Sequence, residues 1–296
     1  MMLPDIDSLR CFVAASTHKN FRRAASEVAL SPAAFSDRIS RLEDLLGVRL
    51  FARTTRTCAL TLEGEKALAH AKRVIASARA CLEAAQEGPI PFDLVIGTRW
   101  ELGMSWLVPG LTGLEAVCPE RRLHLMFGDT DGHLRALEQA TCDAVVTSAR
   151  ISQVAHEGAA LHEETYALVA SPKLLSRTPL RTHEDAAFHT LLDAHKDLPL
   201  FRYFRDGRPA RESWRFGHIE RLGTIGAIAA RAREGCGVAV LPRYYVERDL
   251  AKRVLIEPFP KARVGSDFFR LVWRKDHPRD ADLQRLAADL RAMPLK

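Results

Sequence analysis

Residues 1–87 show the hydrophobic periodicity of α-helices. Apolar side chains recur every three or four positions in three short segments, which is the spacing of amphipathic helices. The third segment opens at Ser31-Pro32, an N-cap oxygen followed by a proline at the first helical position. It closes at Gly47, and its apolar stripe consists of Phe35, Ile39, Leu42 and Leu46. The pattern predicts three short helices packed around a small core.

Two short β-like runs follow the third helix, at residues 48–51 and 58–60, and they flank a polar tip at residues 52–57. The tip carries Arg53 and Arg56. Two short strands around a basic turn predict a β-hairpin, or wing. Three helices followed by such a wing predict a winged helix-turn-helix domain.

A long helix is predicted from Thr61, a good N-cap residue, to about Gln86. Apolar and small residues recur along this helix at alternating steps of three and four positions, which is the spacing of a heptad seam. The seam consists of Leu68, Ala71, Ile75, Ala78, Leu82 and Ala85. Such a helix either packs on its own domain or pairs with a second chain. We favour a homodimer, because alanines that alternate with larger residues allow two helices to approach closely.

The pattern changes at Gly88-Pro89-Ile90-Pro91, where a glycine and two prolines end the helix. Beyond this segment, short apolar runs typical of strands alternate with helical segments, which predicts parallel strands joined by crossover helices. We therefore expect two α/β lobes with a cleft between them. The expected domains are residues 1–60, 61–88 and 89–296, the last divided into one lobe of 92–164 with 268–296 and another of 165–267.

The third helix is the candidate DNA-reading element. If its apolar stripe faces the core, the opposite face is free to enter a major groove. Hydroxyls and arginines suit base edges and phosphates, and the helix N-terminus can anchor a phosphate. The Asp37 carboxylate repels phosphate, so it either accepts a bond from cytosine or discriminates against wrong sites. The candidate DNA-binding residues are Arg22, Arg23, Ser31, Pro32, Ala33, Ser36, Asp37, Arg38, Ser40, Arg41, Arg53, Thr54, Thr55 and Arg56.

The net charge of the chain indicates a class of partner only when the positions of the basic residues are considered. The chain has 43 Lys and Arg against 37 Asp and Glu, a net charge of +6. Residues 1–87 hold thirteen of the basic and ten of the acidic residues, so this short part is the more basic per residue. No secretion-signal pattern or long apolar run is found, which predicts a cytoplasmic protein.

Several segments together resemble one protein family. They are residues 9–13 (LRCFV), 21–25 (FRRAA), 30–43 (LSPAAFSDRISRLE), 46–53 (LGVRLFAR) and 60–64 (LTLEG). These segments are similar to the DNA-binding domain of LysR-type transcriptional regulators. Residues 234–242 (EGCGVAVLP) resemble the effector-domain signature of the same family, so the resemblance covers essentially the whole chain.

The resemblance implies a winged helix-turn-helix, a dimerising linker helix and a two-lobed effector domain folded like periplasmic binding proteins. It also implies homodimers or homotetramers on double-stranded promoter DNA, a small-molecule effector, and RNA polymerase as a candidate partner. Two positions depart from the family pattern. The family commonly has Gln-Pro where Pro32-Ala33 stand and a basic residue where Asp37 stands. We therefore infer no operator preference from the family.

The candidate effector site follows from the geometry of open α/β lobes. Ligands bind there beyond the carboxyl ends of strands, where helix N-termini present free N–H groups. Two interpretations stay open for the loop after the first strand: Trp100 stacks on a flat ligand while Arg99 holds a carboxylate, or Arg99 and Glu101 pair with neighbours and Trp100 fills the cleft. The candidate effector-binding residues are Thr98, Arg99, Trp100, Glu101, Gly128, Asp129, Thr147 and Thr224.

An enzyme is not predicted, because the chain has no Gly-x-Ser-x-Gly motif, no phosphate-cradling glycine loop and no carboxylate dyad. No cofactor is predicted for the same reason. The steps of six residues between His183, His189 and His195 place no two ligands on one helical face, so no metal site is predicted.

Two alternatives to the effector-controlled regulator remain. A redox-sensing regulator of the same fold needs a reactive cysteine with a partner in the effector domain, where Cys118, Cys142 and Cys236 lie far apart in the chain. A plain solute-binding protein, which belongs to a different class, explains the two lobes but not residues 1–87.

Overall fold

The computed structural model describes residues 3–53, 58–85, 90–149, 151 and 155–295. The N-terminal domain contains α1 (Ile6–His18), α2 (Phe21–Glu27), α3 (Pro32–Leu46), β1 (Phe51–Arg53) and β2 (Cys58–Leu60). The strands β1 and β2 pair antiparallel, with Phe51 opposite Leu60. Three helices and a hairpin in this order form the winged helix-turn-helix that the sequence predicts.

Side-chain caps begin all three helices of this domain. Asp5, Asn20 and Ser31 each accept hydrogen bonds from main-chain N–H groups in the first turn that follows. Such caps satisfy donors that have no partner inside the helix. Gly47 ends α3 with a φ of 70°, a left-handed conformation that glycine adopts without strain.

The predicted apolar stripe of α3 is correct for Phe35, Ile39 and Leu42, which are buried, but wrong for Leu46, which is 40% exposed. Glu43 is buried near the end of the helix. Its carboxylate accepts hydrogen bonds from the main-chain N–H groups of Leu50, at 2.8 Å, and of Phe51. The wing therefore docks on the carboxylate, and the last turn of α3 contributes no apolar side chain to the core.

The linker helix α4 runs over Leu62–Ala84. Thr61 caps it as predicted, with the Gly64 N–H donating to Oγ1 at 2.9 Å. The first lobe of the C-terminal domain then contains β3 (Phe92–Thr98), α5 (Trp100–Leu102), α6 (Val108–Val117), β4 (Arg121–Phe127), α7 (Thr130–Glu138) and β5 (Ala144–Thr147). A π-helical turn at Gly103–Leu107 joins α5 to α6, so they form one continuous helical segment.

The chain leaves this lobe in the long strand β6 (His156–Val169). The second lobe contains α8 (Pro172–Arg177), a 3₁₀ turn (Glu184–Phe188), β7 (Thr190–Asp193), α9 (Phe201–Arg205), β8 (His218–Arg221), α10 (Ile225–Glu234), β9 (Val238–Pro242) and α11 (Arg243–Ala251). The strand β10 (Ser266–Arg274) and the helix α12 (Asp280–Ala292) return the chain to the first lobe.

The described strands of this domain are hydrogen-bonded in the order β4-β3-β5-β10-β6-β9-β7-β8. Within each lobe the prediction of parallel strands is correct, for β3 with β4 and β5 and for β7 with β8 and β9. The prediction is wrong for β6 and β10, which are antiparallel to each other and to their other neighbours. They carry the chain out of the first lobe and back, so they run in opposite directions.

Each lobe has its own apolar core. Trp106 and Phe269 are buried in the first lobe, and Phe204 and Ile228 in the second. The partner of β6 changes from β10 to β9 between Thr165 and Tyr166. The two lobes are therefore joined through β6 and β10, and a cleft opens where these strands pass between them.

Candidate DNA-reading surface and effector cleft

The helix α3 presents the predicted DNA-reading face to solvent. Ser31 caps its N-terminus, with the Ala34 N–H 3.2 Å from Oγ. The predicted face is exposed at Ser31, Pro32, Ala33, Ser36, Asp37 and Arg41 and half-buried at Arg38 and Ser40. Phe35, Ile39 and Leu42 on the opposite side hold the helix against α1 and α2. The structure thus leaves this face available to a partner.

Four arginines of α2 and α3 are candidates for this surface, and two of them have carboxylate neighbours. Arg22 and Arg23 are exposed in the first turn of α2. Arg41 lies 2.8 Å from the Asp37 carboxylate one helical turn away, and Arg38 lies 3.3 Å from Asp7 of α1. Exposed pairs of this kind are weak and exchange readily with solvent or phosphate. They restrain the arginines without neutralising the surface.

Thr54, Thr55 and Arg56, which the sequence predicts at the tip of the wing, lie outside the described residues. Arg53 ends the strand β1. The described base of the wing is held by Glu43, which also pairs with Arg49 at 2.6 Å. Burial opposes ionisation of Glu43, but Arg49 and the two main-chain donors outweigh it and lower the pKa of this carboxyl below its usual range.

The residues of the predicted dimer seam have two different environments along α4. Ala71 is buried in the core of the N-terminal domain, and Leu68 and Ile75 pack against that core. Leu82 is 68% exposed and Ala78 is half-buried. Ala85 is exposed just beyond the helix. The first half of the seam is thus used inside the protomer, and its second half presents apolar surface that no residue of the described part of the chain covers.

The linker helix also contacts the effector domain. Arg73 of α4 donates to the Asp276 carboxylate at 2.9 Å, across 203 positions of sequence. Asp276 lies just after β10, and the other end of β10 brings Ser266 and Asp267 to the cleft between the lobes. One strand therefore connects the cleft with the helix that leads to the DNA-reading domain.

The cleft between the lobes has a volume of about 1490 Å³. Trp100 from the first lobe lies at its wall, 58% exposed, with its ring stacked on Phe127 at a centroid distance of 4.6 Å. Its outer face remains accessible. Trp100 therefore does not fill the cleft, and it offers a flat apolar surface to a ligand.

Arg99 pairs inside the chain. Its guanidinium lies 3.0 Å from the fully buried Glu164 carboxylate of β6 and 5.7 Å from the centroid of the Phe269 ring. Burial disfavours the charged form, but Glu164 outweighs this effect and raises the pKa of Arg99 above its ordinary value. Arg99 is thus held by a buried carboxylate at the base of the cleft.

Glu101 bridges the two lobes. Its Oε1 accepts a hydrogen bond from the Gly226 N–H at 3.0 Å, in the first turn of α10. Thr224 caps the same helix, with the Ala227 N–H 3.2 Å from its Oγ1. Arg99 and Glu101 therefore both have partners within the chain, as one of the two interpretations expects.

The remaining predicted residues divide into two groups. Gly128, Asp129 and Thr224 line the cleft. Thr98 and Thr147, at the ends of β3 and β5, do not, because both side chains are buried beneath it. The Thr147 hydroxyl accepts from the Ala149 N–H, and Asp129 caps α7 through the Gly132 N–H.

Several residues that the sequence analysis did not select also line the cleft. Tyr166 and Tyr203 stack with ring centroids 3.9 Å apart, and the guanidinium of Arg202 lies over Tyr203 at 4.9 Å. Arg208 and Arg263 lie nearby, with Arg208 donating to the Arg263 carbonyl at 3.1 Å. These residues come from β6, α9 and two loops of the second lobe and belong to no sequence motif, so only the fold brings them together.

The cysteines predicted as redox candidates are mostly inaccessible. Cys118 and Cys142 are buried, and Cys236 is half-buried. Burial raises the pKa of the Cys142 thiol to about 12 and also raises that of Cys118.

Within the part of the chain that the structure describes, no group of three metal-ligating side chains occurs, and no helix is long and apolar enough to cross a membrane.

A helix-turn-helix joined by a long helix to two lobes around a cleft defines a ligand-responsive DNA-binding regulator. Residues 6–65 match the model of the bacterial regulatory helix-turn-helix proteins of the lysR family, and residues 93–294 match that of the LysR substrate binding domain. The chain therefore belongs to the LysR family of bacterial transcriptional regulators.

Curated relatives and solved structures span nearly the whole chain. The glycine cleavage system transcriptional activator of Escherichia coli K12 is 29% identical over 293 residues, which cover 97% of this chain and 92% of that protein. The transcriptional activator AmpR of Pseudomonas aeruginosa is 28% identical over 256 residues, 86% of this chain and 84% of that protein. The structure of ArgP from Mycobacterium tuberculosis has a TM-score of 0.78 at 21% identity, and covers 98% of each chain.

A further solved structure, LysG from Corynebacterium glutamicum, is described as full-length with bound effector Arg. It has a TM-score of 0.66 and 18% identity, over 97% of this chain and 98% of that one. These two structures share the fold of this chain. Because the curated relatives are transcriptional regulators, this chain is a LysR-type regulator with an effector-binding domain.

Proposed function

We propose that this regulator reads promoter DNA with α3, α2 and the wing, and that a small molecule in the cleft between the lobes controls it. The exposed polar face of α3, flanked by Arg22 and Arg23, is the observation that carries the DNA-reading role. The division into residues 1–60, 61–88 and 89–296 belongs to this proposal. It is supported by the separate cores of the N-terminal domain and the lobes.

Each part of the DNA-reading surface has a distinct role in this proposal. Arg22, Arg23 and the wing arginines bind phosphates and contribute affinity for any sequence. Ser36, Ser40 and Arg41 lie along the face that enters the groove and contact base edges. Asp37, which pairs with Arg41, lowers affinity for sites where no donor meets its carboxylate.

Binding of the full-length protein to duplexes from the region upstream of its own gene tests the DNA-reading role. Fluorescence anisotropy should show an affinity at least about 10³-fold higher for an operator than for a duplex of shuffled sequence. Ser36→Ala should change which duplexes are preferred, whereas Arg23→Ala should weaken binding to all of them. Equal affinity for every duplex would contradict sequence-specific reading.

The second half of the seam on α4 is the proposed dimer contact. Leu82→Asp places a charge in this contact and should give monomers by light scattering, because a buried unpaired charge is costly. Ile75→Asp is a different test, because Ile75 packs on the core of its own domain. An unchanged mass for Leu82→Asp would show that this half of α4 does not mediate dimerisation.

Control by a small molecule is favoured over control by thiol oxidation. Cys118 and Cys142 are buried with raised pKa values, so neither offers a thiolate at neutral pH. Cys236 is half-buried, and the other two cysteines of the effector domain are buried, so it has no accessible partner there for a disulfide. Peroxide should therefore leave DNA affinity unchanged, and a loss of affinity that a reductant restores would favour the redox alternative. RNA polymerase is a further proposed partner. The strand β10 and the ion pair between Arg73 and Asp276 form the proposed connection from the cleft to α4.

A further inference from the structure

The N-terminus of α10 is the place in the cleft where a ligand anion would find main-chain donors. Three N–H groups of its first turn have acceptors within the chain. The Gly226 N–H donates to Glu101, and the Ala227 and Ile228 N–H groups donate to the side chain and the carbonyl of Thr224. A carboxylate or phosphate group of a ligand would have to displace Glu101 to bind the Gly226 N–H.

The contact between Glu101 and α10 is close. A methyl group built at Gly226 would lie 3.6 Å from Glu101 Oε1, an ordinary van der Waals contact, and 3.3 Å from the Tyr245 hydroxyl, so both side chains pack against this glycine. Glu101 belongs to the first lobe and Gly226 to the second, so the hydrogen bond also holds the two walls of the cleft together.

The charge of Glu101 is not neutralised by a cation. Arg99, two positions away, is committed to Glu164 at 3.0 Å. Among the residues that the structure describes, no lysine or arginine forms an ion pair with Glu101. The Glu101 carboxylate accepts from the Gly226 N–H at the N-terminus of α10, and Glu101 lines the cleft.

We propose that Glu101 determines the charge class of the effector. This inference rests on the proposed function, since it concerns the ligand of the same cleft. Glu101 excludes carboxylate and phosphate groups from the N-terminus of α10 and selects a cationic or neutral donor group beside it. Any anionic group of the effector then binds elsewhere on the second lobe, where Arg202, Arg208 and Arg263 line the cleft.

Benzylamine and benzoate are suitable probes, because they share a ring that can stack on Trp100 and differ in charge. Thermal shifts of the full-length protein, at matched ionic strength, should be larger for benzylamine with the wild type and larger for benzoate with Glu101→Ala. Asp131→Ala is the matched control, because Asp131 lines the same cleft on the same lobe and has no bond to α10. This control should keep the wild-type order.

Hydrogen exchange of residues 225–228 tests the bridge without an aromatic ligand. Exchange at Gly226 should be about tenfold faster in Glu101→Ala, which corresponds to the loss of one charge-assisted hydrogen bond. Acetate should slow this exchange again in the variant and should not affect the wild type. Glu101→Gln keeps an acceptor oxygen, so its exchange should stay near that of the wild type.

Three results would overturn the proposal. They are a wild-type protein that responds to benzoate at least as strongly as to benzylamine, a Glu101→Ala variant without a gained response to benzoate or acetate, and Gly226 exchange that Glu101→Ala does not accelerate. The DNA-reading role is tested by the operator duplexes and the wild-type protein. Failure of either proposal is therefore visible separately from failure of the other.

Discussion

Arg41 of the N-terminal domain exposes 77% of its side chain, whereas Arg121 of the effector domain exposes 1%. Arg121 pairs with Asp289 at 2.7 Å and donates to the Leu114 carbonyl. Arg274 is likewise buried and donates to the Leu137 carbonyl. The two regions use the same residue type differently: exposed arginines remain available to phosphate, and buried arginines hold distant segments of the two-lobed domain together.

Buried ion pairs hold side chains of the effector domain in fixed positions, whereas exposed pairs leave the arginines of the N-terminal domain free to move. A buried ion pair fixes the positions of both partners, because leaving either unpaired costs several kcal/mol, on the order of 3–5. An exposed pair contributes at most about 1 kcal/mol and can be exchanged for a phosphate contact. Arg99 with Glu164 and Arg41 with Asp37 represent these two cases.

The largest expected effect is that of Glu164→Ala. It leaves the Arg99 guanidinium at the base of the cleft without its carboxylate, and a loss of about 3 kcal/mol in the free energy of unfolding is expected. All four tryptophans lie in the effector domain, so urea unfolding followed by tryptophan fluorescence reports on that domain. Glu163→Ala is the control, because the neighbouring Glu163 is exposed and should cost less than about 0.5 kcal/mol.

A second, smaller effect is expected from the buried carboxylate of the N-terminal domain. Glu43→Gln should lower the free energy of unfolding at neutral pH by about 2 kcal/mol, because the charge-assisted bonds to Arg49 and to the wing are weakened. Far-UV circular dichroism follows the helices of both domains, so a transition that it detects and tryptophan fluorescence does not belongs to the N-terminal domain. Asp44→Asn is the exposed control, and an equal loss in both variants would contradict the role of Glu43.

The stabilisation from Glu43 should depend on pH. The pKa of this carboxyl is lowered in the folded protein from an ordinary value of 4.5. Its contribution is therefore complete above pH 4.5 and is lost as the pH falls through the lower pKa of the folded state. The wild type should lose more stability than Glu43→Gln between pH 5 and pH 3. Parallel losses would show that the carboxylate is not stabilised on folding.

Ser31→Ala should cost about 1 kcal/mol, because the cap of the Ala34 N–H is lost. Ser36→Ala is the matched control in the same helix. Its side chain is exposed, so stability should change by less than about 0.5 kcal/mol, whereas operator preference should change. Thermal unfolding and anisotropy together separate the two serines, and a similar destabilisation by both would contradict the assignment of Ser31 as the cap.

Asp37→Ala should have the smallest effect on stability, within about 0.5 kcal/mol, because its pair with Arg41 is exposed. Its effect on DNA should be clearer. Removal of the carboxylate should raise affinity for shuffled duplexes and so reduce the ratio between operator and shuffled binding. If this ratio rises, Asp37 does not discriminate against wrong sites.

Local signals made the N-terminal domain predictable from sequence. Ser31-Pro32 marks the start of α3, Gly47 marks its end, and the wing follows directly. The burial of Glu43 was not predictable, because its bonds to Leu50 and Phe51 form only when the wing folds back on α3. Periodicity alone therefore assigns Leu46, and not Glu43, to the buried face of α3.

The effector cleft was only partly predictable. The rule that ligands bind beyond strand ends selected Arg99, Trp100 and Glu101, since these three residues follow β3 in the sequence. The partner Glu164 lies 65 positions away in β6, and the partner of Glu101 lies 125 positions away. No periodicity or spacing relates residues so distant, and only the return of the chain through β6 and β10 brings them together.

The salt dependence of DNA binding tests the central claim most directly. The logarithm of operator affinity should fall steeply and linearly with the logarithm of salt concentration, and the double variant Arg22→Ala/Arg23→Ala should reduce this slope by about 2. Arg122→Ala, which removes an exposed arginine from the effector domain, should leave the slope unchanged. A flat response of the wild type, or an unchanged slope in the double variant, would contradict the assignment of the exposed N-terminal arginines to DNA.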